Sequence, residues 1–339
     1  MQAGLFQPSP RKDRAKMSKQ IDPAGRPADA EEGTSTAPSA KAAPPNPDSR
    51  PQHSDDAAVP AKHGPRACFV IGFPRSGTTV LKEMLGTHPA IVVAGEIFNE
   101  VNGDSYWAYL REEVRRKPDV ILPSRSIETF QAYMALVMER TIRYKPQARI
   151  VVLDVKYSHS HFVYDAWRED MSALPKVFFL MREKGWLVID VHRRDLLALV
   201  VSNLVAIKSG IYHSTSLDAG AEYKPKVWVD PRELRWSMGI RERSFQRMSD
   251  HFEGYPGYLN LIYEEMFDDH ADGRFSDKVL DQVSELLAVP NEFDAAPQLR
   301  KLLTGDIYDY IENAQEVRDQ VRQIVDSRSS DEAESDDGR

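Results

Sequence analysis

Residues 68 to 81 read Cys68-Phe69-Val70-Ile71-Gly72-Phe73-Pro74-Arg75-Ser76-Gly77-Thr78-Thr79-Val80-Leu81. A short apolar run passes through a tight Gly/Pro loop into an apolar-periodic segment, so the stretch predicts strand, loop and helix. Such a turn aims backbone N–H groups and the positive end of the following helix at one point, where an anionic group is the natural occupant. The predicted helix runs from Thr78 to Gly86, with Val80, Leu81, Met84 and Leu85 on its buried side. Working outward, β-rich runs recur at Ile91–Ala94, broken by Gly95, and at Arg149–Lys156, Trp186–His192 and Tyr258–Tyr263. Helical patterns lie between and after them, at Ser105–Arg116, Ser126–Lys145, Leu174–Lys184, Asp195–Ile207, Glu233–Phe252, Phe275–Ala288, Leu299–Leu303 and Ile307–Val325. Strands alternating with helices predict an α/β fold, a P-loop-like parallel sheet flanked by helices on both faces.

The ends of the chain read differently. Residues 1–65 hold half of the chain's 22 prolines and no apolar periodicity. They cannot bury enough surface to offset chain entropy, so a disordered tail is expected there, with a single folded domain over 66–326 and a disordered acidic tail over 327–339. Cys68 is the one cysteine of 339 residues, which excludes an internal disulfide and a cysteine-based zinc cluster and fits a reducing compartment. No apolar leader follows Met1, and no window approaches 18 uninterrupted apolar residues, so a cytoplasmic protein without a membrane span is expected. A net charge of −8 argues against a general nucleic-acid coat.

Gly72 and Gly77 have the spacing of the nucleotide-triphosphatase loop G-x-x-x-x-G-K-[ST], but Thr78 stands where that loop needs lysine. Arg75 inside the loop suits a shorter anion on a 5′-phosphate. In a parallel sheet the ligand lies at the carboxyl ends of the strands, which singles out Pro74–Thr79, Glu96, Lys156–His161, Arg193-Arg194-Asp195 and Glu264-Glu265. Ser202 follows Arg194 by eight residues, about 80° past two full helical turns, so both side chains can reach one phosphate. Read alone, the same segment is a charged helix start capped by Asp195, with Ser202 a small residue.

With both segments in hand the chain resembles a sulfotransferase that uses 3′-phosphoadenosine 5′-phosphosulfate (PAPS). In that family a P-[KR]-S-G-T-T loop binds the 5′-phosphosulfate, and an arginine followed eight positions later by serine binds the 3′-phosphate. By position the resemblance assigns Arg75, Ser76, Gly77, Thr78 and Thr79 to the first and Arg194 and Ser202 to the second. Gly95-Glu96-Ile97-Phe98-Asn99 is similar to the G-E-I-F-N stretch of the bacterial and carbohydrate branch, including the nodulation-factor and trehalose types. Tyr263-Glu264-Glu265-Met266 resembles the late Y-E-D-L element, and Asp309–Val317 the closing I-x-N-x-x-E-[VL] helix. The R-K-G loop of the small-phenol branch has no match here.

The resemblance implies sulfuryl transfer from PAPS to a hydroxyl, with Arg75 stabilising the leaving phosphate and Glu96 as general base. His159 and His161 rival Glu96, and Lys156 with His159 is assigned to the acceptor side. No metal is implied. Aromatic faces at Tyr106-Trp107-Ala108-Tyr109 and the long Ser209–Asp230 loop suit a carbohydrate or glycolipid acceptor, and an ordinary core role for those aromatics stays open. Two other readings also stay open: a P-loop nucleotide kinase or triphosphatase, and a non-catalytic binding module on a nucleotide fold. Oligomeric state is not legible.

Overall fold

The computed structural model describes residues 64–99, 103–163, 174–212, 225–269, 273–296, 303 and 305–336. All of them lie in one compact unit, Ala58–Arg339. The expected N-terminal tail up to residue 63, the middle of the long loop (213–224) and most of the helix expected at Leu299–Leu303 fall outside the described residues.

Five parallel strands form the central sheet: β1 (Arg66–Gly72), β2 (Ile91–Glu96), β3 (Ile150–Lys156), β4 (Leu187–His192) and β5 (Tyr258–Ile262), in the order β2-β3-β1-β4-β5. Central β1, β3 and β4 are buried on both faces, save Arg66 at the start of β1, and their near-continuous apolar runs are what a sheet covered on two sides requires. On one face pack α1 (Thr78–Thr87) and α7 (Asp277–Leu287), with Leu81, Met84, Leu85, Val279, Leu280 and Val283 against Cys68, Val70, Val152 and Ile189. On the other pack α2 (Tyr106–Arg116), α3 (Ser126–Tyr144), α4 (Lys176–Glu183) and the second half of α6 (Pro231–Phe252), around Phe69, Ile71, Leu153 and Val155. Each fully buried aliphatic side chain contributes about 1.5–3 kcal/mol before entropy is counted.

A third cluster joins α5 (Leu196–Ser209) and the start of α6 to α8 (Ala314–Asp336). Asn313 pins it by accepting from Val229 N at 3.0 Å and donating to Val229 O at 2.8 Å. The segment expected as one helix from Ile307 splits into a 3-10 turn, Ile307–Tyr310, and α8, which then runs on to Asp336, beyond Val325 where the apolar pattern stops. Ser, Asp and Glu continue a helix adequately once it has started.

Charge enters the core beside the second face. Asp190, fully buried on β4, accepts from Tyr157 Oη at 2.6 Å and Tyr258 Oη at 3.0 Å, and His192 Nε2 lies 2.7 Å away. Burial first, then Asp190, holds the Tyr157 phenol well above its usual range. Tyr157 therefore stays a donor, and the carboxylate has partners.

Candidate active site

The loop between β1 and α1 folds as the glycines demand. Gly77 sits at φ +99, and a Cβ there would come within 2.5 Å of Tyr263 Cδ2, so only glycine lets Tyr263 lie against the turn. Arg75 takes the left-handed region at φ 71 with a full side chain, a conformation that costs about 1–3 kcal/mol and persists where its surroundings impose it. Ser76, fully buried, ties the turn by donating from Oγ to Phe73 O at 2.8 Å. No side chain caps the N-terminus of α1, which leaves its first N–H groups without a side-chain acceptor.

Arg75 crosses to the opposite wall. Its Nε donates to Ser202 Oγ on α5 at 3.1 Å, and its Nη1 donates to Tyr212 O at the start of the long loop. Arg193, just past the end of β4, donates from Nη1 to Arg75 O at 3.1 Å and lies over the Tyr263 ring at 4.8 Å. Among the described residues neither arginine pairs with a carboxylate, and the buried Nε of Arg193 has no hydrogen-bond partner. Burial first, then the charge of Arg193, lowers the proton affinity of Arg75. Arg193 is buried and Arg75 half-buried, and cations so placed without counter-ions are costly.

Arg194 goes elsewhere. Its guanidinium is largely exposed and pairs with Glu265 Oε1 at 2.7 Å, while Glu264 accepts from the N–H groups of Arg194 and Asp195, both at 3.1 Å. The serine expected to share a phosphate with Arg194 is held by Arg75 instead, and Arg193 is the arginine that touches the loop. Asp195 caps α5 through Ala198 N at 2.8 Å, as its position at a helix start predicts.

A bulge aims the carboxylate. In β2, Val93 pairs with Val152 and Gly95 with Leu153, leaving Ala94 as the extra residue and placing Glu96 opposite Asp154. Without that extra residue Glu96 would fall opposite Val155 and face the other side of the sheet. With it, Glu96, Asp154 and Lys156 share the face covered by α1. The Lys156 ammonium donates to both oxygens of Asp154 at 2.8 Å and to Thr78 Oγ1, and Lys82, one turn into α1, donates to Asp154 Oδ2. His159 Nδ1 lies 3.3 Å from Glu96 Oε1. Burial raises the proton affinity of Glu96, but the hydrogen bond from His159 and the charges of Lys156, His159 and Lys82 together win, and the carboxyl is held below its usual value of 4.5.

Of the residues named from sequence, the structure brings Arg75, Ser76, Gly77 and Ser202 together at the loop, and Thr78 with Lys156 beside it. Thr79 is half-buried at the start of α1. Lys156, assigned from the resemblance to the acceptor side, touches Thr78 at the end of the β1–α1 loop, whereas His159 touches Glu96. The side chain of His161 lies outside the described residues. Tyr106 is a core residue, 2% exposed and packed edge-on to Phe98 and Phe130. Sequence reasoning missed Lys82 and Asp154, and it singled out Arg193 at its strand end without giving it a contact to the loop. It also missed Arg241 of α6, whose guanidinium lies 5.2 Å from the Phe73 ring centre.

A cleft of about 270 Å³ between α2 and α3, lined by Asp104, Glu112, Glu113, Arg116 and Arg140 among others, lies on the opposite face from α1. Its acids make it no rival for an anion. Among the described residues no group of three or more His, Cys, Asp or Glu could hold a metal ion, and no helix is long and apolar enough to cross a membrane.

The family model described as "Sulfotransferase family" matches residues 67–179, which takes in nearly all of β1, the loop after it, α1, the bulged β2 and the Asp154-Lys156 end of β3. Over that third of its length the chain is similar to the sulfotransferase family. Among solved structures it is similar to the sulfotransferase domain of the Synechococcus PCC 7002 olefin synthase, with 16% identity, a TM-score of 0.35, and 73% of this chain and 81% of that chain covered. Sulfotransferase STF9 from Mycobacterium avium is 15% identical, with a TM-score of 0.33 and 78% and 77% covered. No curated protein matches the chain.

Proposed function

We propose that the enzyme transfers a sulfuryl group from PAPS to an acceptor hydroxyl and releases adenosine 3′,5′-bisphosphate. The observation that carries this reading is the pair Arg75 and Arg193: two cations at the uncapped start of α1, without a carboxylate between them and with one buried guanidinium nitrogen unpartnered. PAPS would supply the sulfuryl group and two further anionic groups. Arg75 and the loop N–H groups hold the 5′-phosphate. Ser202 serves the 3′-phosphate, and Arg194 joins it by exchanging Glu265 for the nucleotide. Their long reach is suited to that exchange because the ion pair it breaks is exposed and weak.

The reaction is mostly positioning and electrostatics, by analogy with phosphoryl transfer. Glu96 accepts the acceptor's hydroxyl proton as the oxygen–sulfur bond forms. The bond from sulfur to the bridging oxygen breaks on the opposite side. Lys156 and Arg75 then neutralise the charge that builds on that oxygen. His159 against Glu96 orients the carboxylate and lines the acceptor side.

A carbohydrate or glycolipid hydroxyl remains the preferred acceptor class on the similarity of Gly95–Asn99 to that branch. The burial of Tyr106 leaves Trp107 and Tyr109 as the aromatics available from its segment. A cytoplasmic location, a folded domain over 66–326 and a metal-free reaction belong to the same proposal. Titration with adenosine 3′,5′-bisphosphate against ATP plus Mg²⁺ tests it: the bisphosphate binds preferentially, and preference for ATP returns the chain to the kinase or triphosphatase reading.

A further inference from the structure

Asp154 is a carboxylate with two ammoniums. Its side chain is 1% exposed, that of Lys156 8% and that of Lys82 14%. Lys156 spends its donors on Asp154 Oδ1 and Oδ2 and on Thr78 Oγ1. A lysine so held can meet an incoming sulfuryl oxygen only by letting go of Asp154. That would leave a buried carboxylate uncompensated, which proteins avoid at high cost, unless a second cation stays behind. Lys82 is that cation. It reaches Asp154 from α1, the helix that follows the β1–α1 loop, so the carboxylate keeps a partner when Lys156 turns away.

Resting on the sulfuryl-transfer reading, we propose that Lys82 is a counter-ion for Asp154 that releases Lys156 to the transferring group. Lys82 is thus a positioning residue, acting through Asp154 on Lys156. The arrangement supplies in trans the lysine that the loop lacks at Thr78: β3 contributes the cation, α1 contributes the residue that frees it. Glu96 lies close enough to feel both lysines.

The variants K82M, K82R and K82M/D154N test the proposal through turnover of PAPS and through binding of PAPS and adenosine 3′,5′-bisphosphate. In K82M, Lys156 is trapped as the sole partner of Asp154, so kcat falls about 10²-fold, the scale of losing one transition-state donor. PAPS binding weakens, whereas the bisphosphate, which has no sulfuryl group, binds as to wild type and shows that the fold is intact. K82R keeps most of the turnover. The double variant K82M/D154N recovers most of the loss, because a neutral amide no longer holds Lys156. A merely structural lysine would make the double variant worse. Wild-type turnover in K82M, or a double variant no better than K82M, overturns the proposal while leaving sulfuryl transfer standing. A wild type that binds neither nucleotide sinks both.

Discussion

Arg75 Nε and Ser202 Oγ, 127 positions apart in the chain, stand 3.1 Å apart across the concavity. The loop between β1 and α1 is therefore tied directly to α5, and the residue that joins them does so from a left-handed backbone.

That backbone gives the first prediction. Arg75→Ala and Arg75→Gly both lose the side-chain bonds to Ser202 and Tyr212, and differ only in how they bear φ 71. The glycine variant is more stable than the alanine variant by about 1 kcal/mol, measured by denaturant unfolding. Both lose about 10²-fold or more in turnover. Equal stability of the two would mean the loop relaxes freely, and the strain would have no functional reading.

Gly95 is the second. It lies at φ +84 with nothing within 4 Å of an added Cβ, so Gly95→Ala meets no clash and only conformational cost. About 1 kcal/mol of stability is lost, and the larger effect falls on catalysis, because the bulge that turns Glu96 toward Asp154 is disturbed. Turnover falls much more than bisphosphate affinity. A variant that loses both in proportion would show that the bulge supports the nucleotide site and not the carboxylate.

The third concerns pH. Burial opposes ionisation of Glu96, yet His159, Lys156 and Lys82 outweigh it and the folded carboxyl lies below 4.5. A depressed acid contributes stability above its unfolded pKa, and that contribution is lost as pH falls through the folded value. Stability therefore declines on the acid side of pH 4.5, and Glu96→Gln flattens that decline. With Glu96 as base, the acid limb of kcat/KM lies in the same acid range. A limb near about 6.5, the imidazole range, that survives in Glu96→Gln would assign the proton to His159.

Much of this was legible in the residues. The apolar runs marked all five strands, and the quoted stretch marked the strand-loop-helix turn, because glycine and proline at fixed spacing leave few other conformations. What stayed hidden depends on pairing across the chain. Lys82 reads as a polar position on an amphipathic helix and Asp154 as an oddity in a β-branched run. Only the parallel register that sets Asp154 beside Lys156 and under α1 makes them a unit. Arg193 and Arg194 were separable only by where β4 ends: one residue's difference sends one inward to Arg75 O and the other outward to Glu265. Tyr106 fell to the core because an aromatic on a helix face carries no mark of whether solvent or Phe130 lies beyond it.

The most direct test of the account is transfer of label from PAPS carrying isotopic sulfur to a panel of glycans, glycolipids and small alcohols, with Arg75→Ala and Lys156→Met alongside the wild type. The account predicts label on a hydroxyl-bearing acceptor and stoichiometric adenosine 3′,5′-bisphosphate with the wild type, and loss of both with either variant. Label transfer undiminished by the two substitutions would contradict it.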